Sequence, residues 1–359
     1  MKIGVVKDLK QGEARVGMTP ENVKILVEVG HTLYVENNAG FGAGFPNEQY
    51  IAAGAKIVER EETWEAEMMV RVKEPLEEEY QYLKEGQIIW GFLHLPANKA
   101  CVEKMIEMMV TAFSAENIAT EGTFPLLKPL SAIAGRRAVN IGQYYLEKQH
   151  GGQGILLPGI PESGIEAGHI VIFGGGTAAE NAADIALSIG CSVLILELSD
   201  TRIQELETRY AGKKLQIVKS TTEALEEHIK KADVFISTIL IPGAKPPKLV
   251  KEYMVKSMKP GAVIVDIAID HATNHAEPVF TRHNVIHYAV PNMPGATPRT
   301  STLVMSKGNI EYLKQIADNG LEEALNLSES LRSGMSVYKG TIVSHALADS
   351  IGLPYTKIK

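Results

Sequence analysis

Residues 169–182, HIVIFGGGTAAENA, run from a β-prone stretch through three consecutive glycines into a helix-forming segment. Gly174 supplies the freedom for a sharp turn, and the small residues Ala178 and Ala179 let the following helix pack tightly on the strand it has just left. A strand, a tight turn and a helix in that order are the opening of a βαβ unit, whose two strands lie parallel and need a helix on the sheet face. The segment therefore predicts a parallel α/β sheet and excludes an all-helical or antiparallel all-β chain.

The rest of the chain keeps the same rhythm. Downstream, the pattern predicts strands at 169–173, 192–196, 215–218, 233–238 and 262–267, with helices near 177–189, 201–210 and 223–231. Upstream, Ile3 to Val6 and the runs HTLYVE, EMMVRVKEP, GQIIWGFLHL and MVTAFSAEN read as β strands separated by helix-prone sequence. In MTPENVKILVEVG, Thr19 can cap, Pro20 can open and Gly30 can end a helix. A long helical stretch without an internal proline, from Ser131, leads into glycine-rich sequence before the rhythm restarts. The fold expected is thus α/β with two doubly wound, Rossmann-like domains. After VIHYAVPNMPGATPRTST the chain reads as helical with no sheet of its own, so the tail should pack back on the first domain. That makes the first domain discontinuous, 1–130 with 305–359, around an inserted domain at 131–304.

A chain of 359 residues suits two domains, and 45% hydrophobic residues describe an ordinary globular protein. The formal charge of −7 comes without a basic stripe, which excludes the electrostatic footprint of a nucleic-acid binder and favours a small-molecule substrate. No apolar run approaches a membrane span, and Cys101 and Cys191 stand far apart without a metal or disulfide pattern. A soluble protein in a reducing cytoplasm, with no membrane or nucleic-acid partner, is expected.

Gly174-Gly175-Gly176-Thr177-Ala178-Ala179 fits G-x-G-x-x-G/A, the fingerprint of a dinucleotide cradle, with Gly176 open to a pyrophosphate and the helix N-terminus supplying N–H donors. The next β run, CSVLILELSD, carries Glu197 about 20 residues beyond the turn, where an acid binds ribose hydroxyls and repels a 2′-phosphate. NAD is expected rather than NADP. Glu180, in the first turn of the helix, suits the helix dipole but would repel a phosphate, so it should point away from one.

In parallel sheets ligands sit beyond the carboxyl ends of the strands. Four polar residues fall at such ends: Arg15 in GEARVG, Lys73 in VRVKEP, His94 in GFLHL and Asp270 in VDIAID. Arginine and lysine suit a small carboxylate, and a histidine can carry a proton to and from a carbonyl or amine. With a nicotinamide, the set points to oxidation at a carbon beside a carboxylate. The nearby His271, His275, His283 and His287 hint at a metal, but Pro278 interrupts them and no third ligand is spaced for one; no metal is expected.

These blocks, together with PLLKPLSAIAGRRAVNIGQYYLEKQHGGQGILLPGIP and PNMPGATPRTST, resemble the alanine dehydrogenases, which share their fold with the first domain of the nicotinamide nucleotide transhydrogenases. The resemblance runs in order from residue 1 to about 355. It implies a hexameric, NAD-dependent oxidoreductase that converts L-alanine reversibly to pyruvate and ammonia. It further implies substrate binding by Arg15, Lys73 and Asn292, catalysis by His94, Asp270 and Lys73, and cofactor binding by Ser131 and the turn residues through Glu197. The chain departs from the family at His271-Ala272-Thr273, where Q-G-G is usual, and at Ser131-Ala132-Ile133-Ala134, where an acid is common. An opine-forming or saccharopine-type reductase, or a transhydrogenase-like NAD-binding module, are the alternative readings.

Overall fold

The structure is a computed structural model that describes residues 1–239, 249–269 and 273–357. The chain forms two compact units, one built from Met1–Leu130 with Gly295–Lys359, the other from nearly all of the sequence between Ser131 and Pro294. Each is organised around its own sheet.

The first unit holds an eight-stranded sheet in the order β15-β14-β6-β5-β4-β1-β2-β3. Its parallel strands are β1 (Lys2–Val5), β2 (Thr32–Glu36), β3 (Lys56–Val58), β4 (Met68–Val70), β5 (Ile88–Gly91) and β6 (Thr111–Ser114). The central strands β1, β4, β5 and β6 are buried on both faces almost throughout, as a sheet covered by helices on either side requires, whereas the edge strand β3 is more exposed. Helix α1 (Pro20–Glu28) begins as its sequence demands, with the Thr19 hydroxyl accepting from the Asn22 N–H and Pro20 at the first position. The order of the parallel strands reverses between β1 and β4. The loops that leave those two strands therefore diverge, and a crevice opens between them.

The second unit holds a seven-stranded sheet in the order β12-β13-β11-β10-β7-β8-β9. Strands β7 (His169–Phe173), β8 (Ser192–Glu197), β9 (Leu215–Lys219), β10 (Val234–Ser237), β11 (Val263–Asp266) and β13 (Val285–Tyr288) are parallel, and β12 (Val279–Arg282) joins β13 antiparallel at the edge. Removing that edge strand leaves the doubly wound dinucleotide-fold order, with the reversal between β7 and β10. The helix over the centre of the sheet is α2 (Leu127–Leu146), which begins a few residues before Ser131 and takes Pro129 into its first turn, where the missing N–H has no intrahelical partner to lose. Helices α3 (Thr177–Ser188) and α4 (Asp200–Arg209) follow β7 and β8. The small side chains Ala179, Ala182, Ala183 and Ala186 on α3 are fully buried in a core with Ile170, Ile172, Val234 and Val263.

The tail differs from its helical reading in one respect. Beyond helix α5 (Pro298–Asn319) and two shorter helices at Leu321–Leu327 and Glu329–Ser333 come two short strands, β14 (Met335–Tyr338) and β15 (Thr341–Ile342), which pair antiparallel and extend the first sheet from β6. The turn between them places Lys339 and Gly340 at φ 45° and 77°, the geometry of a tight hairpin. A four-residue strand carries too little periodicity to stand out between helices, and its stability comes from β6, which lies far away in sequence. No helix among the described residues is long and apolar enough to cross a membrane.

Gly135 on α2 lies so close to α3 that a β-carbon there would sit 2.0 Å from the Ala178 carbonyl oxygen. Gly135→Ala is therefore expected to destabilise the second unit by about 1–3 kcal/mol despite alanine's better helix propensity. A lowered thermal midpoint checks this; an unchanged or raised one would mean that the two helices are not in such close contact.

Candidate functional site

In the first unit, four loops leave the carboxyl ends of β1, β4, β5 and β6, and the strand order sets them side by side. They carry Glu13 and Arg15, then Lys73, then His94, then Glu116. Arg15 lies against Glu13, with Nε 2.8 Å from Oε1 and a terminal nitrogen 2.6 Å from Oε2, both side chains about 2% exposed. The loop itself is held by α5, since the Val16 N–H donates to the Thr302 hydroxyl at 3.2 Å and the Thr19 N–H to that of Ser306 at 2.8 Å. Burial works to raise the Glu13 carboxyl, but the hydrogen bonds and charge of Arg15, aided by Lys73, hold it below its usual range.

Lys73 is placed by a buried charge network. Asp8, just past β1, accepts from the backbone N–H groups of Val72 at 2.9 Å and Lys73 at 3.1 Å. Arg71, just past β4 and 1% exposed, pairs with Asp8 at 3.2 Å and with Glu79 at 2.8 Å. Its Nε also donates to the Lys73 carbonyl. Arg60 completes the cluster by bridging Glu79 and Glu36 at 2.7 and 2.8 Å. The backbone on both sides of Lys73 is thus tied down. Burial pushes the Lys73 ammonium below its ordinary value and the nearby Arg15 cation adds to this, while Glu13 and Glu74 oppose it.

His94 follows β5 in the left-handed region, at φ 46° and ψ 43°, unusual for a residue with a side chain. Its backbone N–H donates to Glu116 Oε1 at 2.7 Å. Glu116 stands in the turn after β6, and burial raises its carboxyl while its backbone hydrogen bonds and the Lys73 charge pull it back. Arg15, Lys73 and His94 thus occupy consecutive loops at one end of one sheet. The carboxylates Glu13, Asp8 and Glu116 were not singled out in the sequence, although each lies just beyond a strand, the same signal that marked the other three.

In the second unit, the glycine turn has the form expected. Gly174 adopts φ 101°, and a side chain there would strike Thr238. Gly175 is held by Glu197, whose Oε2 accepts from its N–H at 2.6 Å and leaves no room for a β-carbon. Gly176 begins α3 with nothing within 4 Å of where its β-carbon would be. Thr177 opens the helix and Ala178 and Ala179 are buried behind it. These features fit a dinucleotide: an open approach to backbone at a helix N-terminus, with an acid at the end of the adjacent strand. Glu180 is paired with Arg202 at 2.7 Å, so its charge in the first turn is countered within the protein. Arg202 Nε also donates to the Gly175 carbonyl at 2.8 Å, a contact that sequence spacing did not suggest.

Ser131 lies half-buried on α2, and Asn292 follows β13 at φ 63°. Asp270 and His271 lie outside the described residues. The other histidines have separate settings. His283 lies 2.9 Å from Glu252, and His287 stacks on Phe280 at 4.7 Å, its imidazole pushed down to about 4 chiefly by burial. Among the described residues no three His, Cys, Asp or Glu side chains are grouped to hold a metal ion.

Sequence-family models match both parts of the chain: the N-terminal domain of the alanine dehydrogenase/PNT family over residues 4–134 and its C-terminal domain over 138–345. Alanine dehydrogenase 1 of Staphylococcus aureus is 54% identical, the alignment covering 100% of this chain and 99% of that protein. A solved L-alanine dehydrogenase superposes with a TM-score of 0.92 at 38% identity, over 98% of this chain and 99% of that one. A transhydrogenase from Sinorhizobium meliloti, 23% identical, shares the fold with a TM-score of 0.83 over 96% of this chain and 100% of its own.

Removing the Arg71 guanidinium would strip Asp8 of the cation it is paired with and leave buried Glu79 paired with Arg60 alone. Arg71→Met should cost about 3–5 kcal/mol of stability near neutral pH. The deficit should narrow as the pH falls, because stranded carboxylates can then take up protons. Urea unfolding of both proteins at two pH values checks this; a loss under 1 kcal/mol, or one that grows on acidification, would contradict it.

Proposed function

The chain belongs to the alanine dehydrogenase/PNT family, and from that premise we propose that it is an NAD-dependent L-alanine dehydrogenase, interconverting L-alanine with pyruvate and ammonia. It is an oxidoreductase of the amino-acid dehydrogenase type. The observation that carries the substrate reading is the row of Arg15, Lys73 and His94 on adjacent strand ends, two cations and a proton carrier suited to a 2-oxo or 2-amino acid. Residues 1–130 and 305–359 would bind that substrate, and residues 131–304 the cofactor.

Arg15 and Lys73 bind the substrate carboxylate and the carbonyl oxygen. Because Glu13 already orients the guanidinium, little freedom is lost when an anion arrives. The neighbouring cations also repel each other, and a bound carboxylate relieves that repulsion. When bound, NAD would supply the acceptor for the hydride that leaves the α-carbon of alanine. Water then adds to the resulting iminium carbon as His94 takes one of its protons, leaving a carbinolamine; His94 returns that proton to the amine nitrogen, and the C–N bond breaks as the hydroxyl releases its proton, giving pyruvate and ammonia. By family resemblance Asp270 shares these proton transfers and Asn292 lines the substrate pocket. Gly174, Gly176, Thr177, Ala178 and Ala179 would cradle the pyrophosphate, Ser131 would contact the cofactor, and Glu197 would accept from the ribose hydroxyls. We further infer a homo-oligomer, hexameric as in the family, working in the cytoplasm.

The purified protein should consume NADH with pyruvate and ammonium, and reduce NAD with L-alanine. His94→Ala should abolish both reactions while binding NADH nearly as tightly. Turnover at the unmutated rate in that variant would remove His94 from catalysis. Reaction only when an amino acid replaces ammonium would point to opine-type chemistry instead, and NADH binding without any turnover to a binding module. Replacing Glu197 by Ala should lower the preference for NAD over NADP roughly tenfold or more, about 1.4 kcal/mol. An unchanged ratio of kcat/KM values would disprove its role at the ribose.

A further inference from the structure

We propose that Glu116 is the positioning residue of His94, holding its backbone in the left-handed conformation from which the imidazole serves the substrate. This rests on the reading of His94 given above. A residue with a side chain adopts φ 46° and ψ 43° only against a steric penalty, so something must hold it there. The chain on either side offers a partial answer: the His94 carbonyl accepts from the Ala97 N–H at 3.2 Å, and Pro96 sits inside the short helical turn that follows. The N–H of His94 donates to the Glu116 carboxylate at 2.7 Å, a charged and therefore strong acceptor. Glu116 can reach it because β5 and β6 are hydrogen-bonded neighbours, with Gly91 opposite Ser114, so their following loops emerge together.

The rest of the carboxylate is confined as well. Oε2 is buried and makes no hydrogen bond among the described residues, and the positive charge of Lys73 acts on the group from the β4 loop. Glu116 thus bonds to the loop that carries the proton carrier and stands within the field of the substrate cation on the loop beyond it. Two roles are separable by chemistry: reach to the His94 N–H, which an amide oxygen would preserve, and negative charge facing Lys73, which it would not.

Three variants distinguish them. In Glu116→Gln the amide oxygen still reaches the His94 N–H; in Glu116→Asp the charge remains but the side chain falls one methylene short; Glu116→Ala loses both. Pyruvate amination kinetics, NADH affinity and thermal midpoint would be measured for each. E116D and E116A should lose roughly 10–100-fold in kcat, as expected for a misplaced catalytic group, with KM for pyruvate and NADH affinity little changed. E116Q should recover the rate to within roughly fivefold of the unmutated protein. A merely structural role would lower the thermal midpoint without this ordering of rates. Unmutated kcat in E116D, or E116Q as slow as E116A, would overturn the proposal. Should E116A not fold, the Gln and Asp pair decides alone. Failure of the functional reading looks different, since His94→Ala would then retain turnover whatever the Glu116 variants do.

Discussion

The fully buried guanidinium of Arg71 is the interaction on which the substrate end of the first sheet depends. It lies where the strand order reverses, bonded to Asp8 from the β1 loop and to Glu79 beyond β4. Without it, two buried carboxylates would face each other across the one place in the sheet where diverging loops leave a crevice. With it, the Lys73 backbone is gripped from both sides, through its N–H by Asp8 and through its carbonyl by Arg71. A buried ion cluster of this kind contributes little to net stability over an apolar core, because desolvation offsets its attraction. Its consequence here is geometric: on a loop, both backbone hydrogen-bonding groups of Lys73 are engaged, as they would be in a strand.

The same economy appears in the glycine turn of the second unit. Glu197 accepts from the Gly175 N–H and from the Ser199 N–H, so one carboxylate fixes both the turn after β7 and the loop after β8. The side chain read as the ribose acceptor is therefore also part of what shapes the phosphate cradle. Arg202 joins in from α4, bonded to the Gly175 carbonyl and to Glu180. A carboxylate that looked out of place at a phosphate-binding helix end is matched by a cation from the next helix.

Much of this was legible from local sequence. The strands and helices between residues 169 and 238 lie within a residue or two of the expected positions, because the strands are rich in apolar residues and the helices open at Gly176, Ser199 and Thr221. Arg15, Lys73 and His94 were recognisable as polar residues at strand ends. Strands β14 and β15 are too short to be legible, and the hairpin they form is anchored through β14 to β6, more than two hundred residues earlier in the chain. Nothing local marks Glu116, whose place is defined by a neighbouring loop, and nothing in the Asp8 or Arg71 codes signals that either charge will be buried.

The sequence by itself determined the parallel α/β class, the turn at Gly174 to Gly176, the acid at the end of β8 and the set of chemical groups offered at strand ends. These follow from residue periodicity, from the steric freedom of glycine and from the distance a carboxylate can reach, all of them local. Only the tertiary structure decided that β4 lies beside β1, that Glu13 grips Arg15 in a loop pinned by α5, and that the backbone of His94 is left-handed and bonded to Glu116. Strand order in a parallel sheet is chosen by which helices bury which faces. That balance is summed over the whole unit, so no short stretch of the chain records it.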